Sequence, residues 1–298
     1  MNPQAYPSIL LLGLLFGSTL LASRFSVGQY EPLTYLGLRL VIASLGFIVV
    51  YVLRIGNRRW PRDRRLWKHA FVIGVFTSIT MMGIVGSMLY LSSGMTSIMI
   101  TAGPAFTVIL SHFFLEDEPL SWRKGIGVAL AISGASLLVV LGETGLPEVD
   151  AGNPLGYALV LTGITAASVM VIYIRRFMKN LDSYDVTSAR MMVAALVVMP
   201  LSLLLVGFDL SGVNRAGYLV LLYAAIPGTI FTFLLQFYNI QHFGATASVM
   251  VAYVIPVVAT IGGALVLDEQ ITTGMLAGLG LIAIGVWQIN KGTLVVSA

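Results

Sequence analysis

A chain of 298 residues that is 57% hydrophobic and only 10% charged, with a mean hydropathy of +0.91, falls outside the ordinary soluble domains, in which roughly a quarter of residues are charged. It belongs in a bilayer, and its formal charge of +4 reads as membrane topology rather than as a surface for nucleic acid. The lack of cysteine rules out disulfides, thiolate catalysis and Cys-based metal sites.

A hydrocarbon core of about 30 Å needs about 20 apolar residues per helical crossing. The chain supplies ten such stretches: Pro7–Arg24, Leu33–Val52, Trp67–Tyr90, Gly94–Leu115, Trp122–Leu141, Pro154–Ile174, Tyr184–Val206, Gly217–Tyr238, Ala245–Leu267 and Thr273–Asn290. The first has no positive charge before Arg24 and a counterpart in mid-chain, so it is expected to stay as a span rather than serve as a cleaved signal. The expected fold class is an all-α integral membrane protein with ten transmembrane helices.

The chain also matches itself at a spacing of 151. Asn2-Pro3 returns as Asn153-Pro154, Arg24 as Arg175, Arg39 as Arg190, Asp117-Glu118 as Asp268-Glu269, Gly127 as Gly278 and Gly134 as Gly285. Such self-similarity marks a duplication, with halves expected at residues 1–147 and 148–298. Five spans per half is an odd number, so the second half must enter the membrane upside down. Inverted repeats set a pseudo-twofold axis in the membrane plane and a binding site near the midplane, the architecture of alternating-access carriers.

Charge supplies the orientation. With both termini cytoplasmic, the inner segments hold the cluster from Arg54 to Lys68 together with Arg123, Lys124, Arg175, Arg176, Lys179 and Lys291, while the outer segments hold only Arg24 and Arg215. That lopsided count is the positive-inside pattern. The expected location is the inner membrane of a bacterial or archaeal cell.

From Gly244 to Trp287 the chain reads GATASVMVAYVIPVVATIGGALVLDEQITTGMLAGLGLIAIGVW, with a weaker copy beginning at Gly94. The Gly-Ala-Thr-Ala-Ser opening, the mid-span proline, the acidic pair before Gln270-Ile271-Thr272 and the glycine-rich last span resemble the EamA family of the drug/metabolite transporter superfamily. In the first half Pro104, Glu118-Pro119-Leu120-Ser121, Gly125, Gly127 and Gly134 correspond, and Glu31-Pro32 followed by Arg39 fits the family's second span. The resemblance covers essentially the whole chain and implies export of amino acids or other small metabolites. It also implies a central cavity lined by the first, third, fourth, sixth, eighth and ninth spans.

Several residues are candidates for substrate contact. Met81, Met99, Phe233 and Tyr253 offer adaptable or aromatic surface for apolar side chains. Ser18, Thr80, Thr101, Thr165, Ser168, Thr232 and Gln236 offer polar groups for a zwitterion's ends, although a hydroxyl in a span can simply bond its own helix. Pro104 and Pro256 each remove a helix donor in mid-span, and freed carbonyls at membrane depth are tolerated only inside protein or beside water. Arg39 and Arg190 sit about two turns into their spans. They read either as gating or anionic-substrate contacts, or as structural ties to backbone carbonyls or to carboxylates such as Glu31 and Asp185; the structural reading is the expectation.

No Asp or Glu lies deep in any span, so an intramembrane carboxylate relay is not expected. The reading from sequence is a secondary transporter exporting a small neutral or zwitterionic, amino-acid-like metabolite. The alternatives are an organic-anion or phosphate-compound exchanger using Arg39 and Arg190, and a non-transporting scaffold. Neither enzymatic activity, a cofactor, a metal nor nucleic acid is expected; the partners are a small-molecule substrate and the lipid bilayer, with the oligomeric state open.

Overall fold

Helix starts are written into the sequence as caps. Ahead of six helices a short polar side chain accepts a hydrogen bond from a free N–H of the first turn: Asp63 from Arg65, Ser92 from Met95, Ser121 from Lys124, Asn153 from Leu155, Asp182 from Asp185 and Asn214 from Gly217. Prolines at Pro32 and Pro154 open two helices where the missing N–H costs nothing.

The computed structural model describes residues 5–115, 120–147, 153–178 and 181–296. The elements are α1 (Ala5–Val27), α2 (Pro32–Val52), α3 (Arg64–Ser87), α4 (Ser93–Thr101), α5 (Gly103–Phe114), α6 (Trp122–Val140), α7 (Pro154–Phe177), α8 (Ser183–Leu205), α9 (Arg215–Ala225), a π-helical segment (Ile226–Phe231), α10 (Thr232–Val266) and α11 (Thr273–Val296). No strand occurs among the described residues. The protein is an all-α membrane protein built from two inverted repeats of five spans.

Two spans differ from the expected uniform rods. The fourth is broken at Ala102 into α4 and α5, with Pro104 at the start of the second piece. The ninth is not a separate element: it shares α10 with the end of the eighth. A straight α10 is nevertheless impossible. Asn239 donates to the Ser8 carbonyl and Gly228 lies against Thr19, so this stretch runs antiparallel to α1. Gly13 faces Val254, Gly17 faces Val258 and Gly262 faces Leu21, so the later stretch runs parallel to α1. The two stretches of α10 therefore run in opposite directions along α1, and the second, Met250–Val266, is the ninth span.

Three spans meet their own repeat mates, as helices beside a twofold axis do: α2 packs on α8, α6 on α11, and α4 on α10. The α6–α11 seam shows this residue by residue. Gly127 faces Gly285 and Gly134 faces Gly278, each glycine meeting the mate of the other. The small-residue spacings Ala131/Ala135 and Gly274/Gly278 are used within this chain, since Ala131 abuts Gly285, Gly274 abuts Glu143 and Gly278 abuts Leu138. The two largest apolar clusters form mainly from α2, α8 and α9 and from α4, α6, α7 and α11.

Candidate functional site

The eighth span also departs from a regular α-helix. Pro227 has no N–H and its ring would crowd the carbonyl one turn back, and the chain answers with a π-helical turn from Ile226 to Phe231. Two hydroxyls stabilise the widened turn: Thr229 donates to the Ala224 carbonyl and Thr232 to the Pro227 carbonyl, each at 2.8 Å. Gly228 lets α1 approach, because a Cβ there would lie 2.3 Å from Thr19 Oγ1. π-bulges are frequent at functional sites.

Arg39 reaches into this turn from α2. Its Nε donates to Thr229 Oγ1 at 3.0 Å and its Nη1 to Ser23 Oγ at 3.2 Å, with the residue only 6% exposed. The guanidinium therefore ties α2 to α1 and to the π turn through hydroxyls, not through Glu31 or backbone carbonyls as its sequence position suggested. Arg190, its repeat mate, is placed differently. Its guanidinium lies over the Phe233 ring at 4.9 Å, its Nη1 faces the Met170 sulfur at 3.9 Å, and its Nε is buried without a partner. Asp185, the expected carboxylate, instead accepts from Tyr51 at 2.8 Å.

Around Arg190 the structure gathers an apolar, polarizable group. Phe16 meets Phe233 edge-on at 6.0 Å, and the Thr77 hydroxyl, which donates to the Ile73 carbonyl at 2.7 Å, lies 3.3 Å from the Met170 sulfur. Met81 packs in the same neighbourhood of α2, α8 and Phe233. This group joins α1, α3, α7, α8 and the start of α10, with Phe233 and Met81 packed against the cluster of α2, α8 and α9. Ser23, Phe16 and Thr77 carry no motif, and only their arrival beside the arginine or its aromatic partner distinguishes them from ordinary span residues.

The end of the bundle opposite the basic Arg54–Lys68 loop is closed. Glu269, 7% exposed, accepts from Ser93 N at 2.7 Å, Ser93 Oγ at 2.8 Å and Gly94 N at 3.2 Å, so one carboxylate from the end of the ninth span caps α4. Negative charge at a helix N-terminus also complements its dipole, and Arg24 in the last turn of α1 adds a nearby positive charge. The neighbouring loops join in: Ser92 N donates to the Thr144 carbonyl at 2.8 Å and Gln270 N to the Gly145 carbonyl at 2.9 Å. Glu118, the repeat mate of Glu269, lies outside the described residues.

The remaining candidates scatter. Met99 is fully buried in the cluster of α4, α6, α7 and α11, and Tyr253 packs against that cluster beside Asn290. Neither belongs to the cluster that Phe233 and Met81 join. Thr101 and Thr165 bond the Ser97 and Leu161 carbonyls of their own helices, while Ser168 bonds Ile164 and accepts from Thr107 at 3.0 Å. Ser18 shares a hydrogen bond of 2.6 Å with Tyr223. Thr80 is buried without a hydroxyl partner, next to Gly163 of α7. Gln236 is half-buried and Pro256 is buried within α10. No group of three or more potential metal ligands occurs among the described residues.

The sequence profile described as the EamA-like transporter family matches residues 4–140 and again 154–291. The chain belongs to the EamA-like transporter family. Relatives of this EamA-like transporter are matched over nearly their full lengths. An uncharacterized transporter of Archaeoglobus fulgidus is 28% identical over 281 residues, 93% of this chain and 95% of that protein. The uncharacterized inner membrane transporter YedA of Escherichia coli (strain K12) is 26% identical over 291 residues, covering 96% and 90%. A protein of Streptantibioticus cattleyicolor named a probable terminal-alkyne amino-acid exporter is 26% identical over 257 residues, covering 86% and 83%. A solved crystal structure superposes with a TM-score of 0.66 at 17% identity over 98% of each chain, which supports the fold. The EamA-like transporter is thus a multi-pass membrane transporter.

Proposed function

We propose that this EamA-like transporter exports a small zwitterionic, amino-acid-like metabolite across the cell's inner membrane by alternating access, with both termini cytoplasmic. The observations that carry the reading are the closure of the Glu269 end by hydrogen bonds from the start of α4 and, separately, the meeting of aromatic, Met and Arg side chains between the helices, in a bundle whose halves are inverted copies. In such a bundle, exchanging the conformations of the two halves opens the closed end and closes the other. The lack of acidic residues deep in the spans fits a substrate with no excess positive charge, and the amino-acid exporter among the relatives supports the substrate class.

Alternating access requires α4 to part from α10 at the closed end. A Cβ on Gly94 would lie 3.3 Å from Thr260 Cβ, close to the range of about 3.5–4.5 Å that a disulfide spans. The double variant Gly94→Cys/Thr260→Cys, oxidised in liposomes loaded with an amino-acid panel, is expected to lose flux and to regain it on reduction. Undiminished flux in fully cross-linked protein would rule out separation at this end.

Orientation has its own expected result. The chain has no native cysteine, and Ile55 and Pro147 are exposed at opposite ends of the bundle. An impermeant maleimide should label Pro147→Cys in intact cells and Ile55→Cys only after permeabilisation. The reverse pattern would turn the protein over.

A further inference from the structure

The repeat supplies an internal control for its own arginines. Arg39 and Arg190 occupy the same place in the two halves, so any difference in their surroundings is a difference this sequence has kept on one side only. Arg39 is met by the hydroxyls of Ser23 and Thr229. Each hydroxyl spends its own hydrogen on a backbone carbonyl, Ser23 on Thr19 at 2.9 Å and Thr229 on Ala224 at 2.8 Å, and so turns lone pairs toward the cation. Subtracting or adding 151 shows what Arg190 has instead. The mate of Ser23 is Ile174, which cannot accept a hydrogen bond, and the mate of Thr229 is Ser78, whose hydroxyl donates to Gly74 at 3.0 Å in its own helix.

Arg190 is left with a ring face, a sulfur and an unsatisfied Nε. Thioether sulfur is a weak acceptor, and the ion pair of Arg58 with Asp182 is elsewhere. An interior cation without a counter-charge destabilises the fold that holds it. The guanidinium's planar fork fits a carboxylate through two parallel hydrogen bonds, which a lysine cannot reproduce. Phe233 behind it, with Phe16 and Met170 alongside, fixes the plane of the fork and supplies apolar contact next to it.

We infer that Arg190 is the receptor for the substrate's carboxylate, that the Phe16–Phe233–Met170 surface takes its apolar portion, and that Arg39 is a structural tie only. This rests on the transport reading and narrows its substrate class to compounds with a free carboxylate beside an apolar or aromatic group.

Two readouts test it, one of them independent of transport. In thermal melts of the ligand-free purified protein, Arg39→Lys is expected to melt several degrees below the parent, because it loses a fork shared between helices. Arg190→Lys should melt with the parent, because only a weak sulfur contact and a ring contact are altered, and Arg190→Met above it, because an uncompensated charge is removed. For binding, the probes are L-phenylalanine, 3-phenylpropionate, L-phenylalaninamide and phenethylamine, read by thermal shift. The two acids should bind the parent roughly ten-fold or more tightly than the amide or the amine, as expected for a charge-assisted bond, and Arg190→Met should erase the preference. An Arg190→Met protein that melts below the parent, a parent that binds acids and amides alike, or the absence of any acid-dependent shift in the parent overturns the assignment. Flux of neutral solutes that still responds to the Gly94–Thr260 cross-link would show transport standing while the assignment fails; loss of both would sink the transport reading itself.

Discussion

Replacing Glu269 by alanine is expected to lower the unfolding temperature of the purified transporter by several degrees and to loosen the closed end of the bundle. The side chain accepts three hydrogen bonds at the start of α4, from Ser93 N, Ser93 Oγ and Gly94 N. Each bond to a buried charged group contributes about 1.5–3 kcal/mol, and the donors left behind would lie unsatisfied in a buried interface. A net loss of about 3 kcal/mol is a conservative reading of those terms. Nor can the backbone relax easily to fill the gap. Gly263 sits against the carboxylate, where a Cβ would lie 2.0 Å from Oε2, and Asp268 holds the turn in a left-handed conformation at φ 53°. Glu269→Gln, which keeps an acceptor and loses the charge, should fall between alanine and the parent. Two further readouts check the idea: protease or thiol accessibility of a cysteine at Ser93 should rise in Glu269→Ala, and the Gly94–Thr260 cross-link should form more slowly. An alanine variant with unchanged melting and unchanged cross-linking would mean that the carboxylate does not hold this end shut.

The second large effect is expected at the α6–α11 seam. Gly127→Val should lower stability by about 1–3 kcal/mol or more and reduce the yield of folded protein, because a Cβ at Gly127 would approach the Gly285 carbonyl oxygen to 2.6 Å and Ile289 N to 2.9 Å. Those obstacles are backbone atoms, which cannot swing aside as a side-chain end can. Gly285→Val should match it, since a Cβ there meets the Gly127 carbonyl at 2.5 Å and Ala131 N at 2.6 Å. Gly125→Val is the control. That glycine lies two residues away on the same helix with nothing within 4 Å of a Cβ, and its replacement should be neutral or slightly favourable, because glycine is the poorer helix former. Equal melting of the valine variants at 125 and 127 would show that the two helices do not cross as closely as the glycine contacts require.

Much of this architecture is legible in one dimension. Hydropathy marks the spans because lipid offers backbone groups no partner, so each crossing must be a helix of set length. Asp63, Ser92, Ser121, Asn153, Asp182 and Asn214 announce helix starts because capping is a contact between near neighbours in the chain. The 151-residue spacing identifies Gly127 with Gly278 and Gly134 with Gly285. Inversion follows from counting spans.

The site is less legible, and particular residues show why. Met99 and Tyr253 have the composition of a pocket, yet they join the cluster of α4, α6, α7 and α11, because the rotation of a helix about its axis is set by what packs on it. Thr101 and Thr165 look like polar contacts but bond the carbonyl four residues back, a partner that every helical threonine has within reach. The arginines carry the sharpest lesson. Identical in type and equivalent in position, they differ only in what α1 and the π turn deliver to one and what α3, α7 and α10 deliver to the other. Sequence by itself determined the membrane class, the ten crossings, the inverted duplication and the family, all of which depend on local hydration, capping and periodicity. Only the tertiary structure decided that Glu269 closes one end by capping a helix 176 residues away and that Arg39 is satisfied while Arg190 is not. Hydrogen bonds and charge compensation depend on distances between segments far apart in the chain, and those distances exist only once the helices have packed.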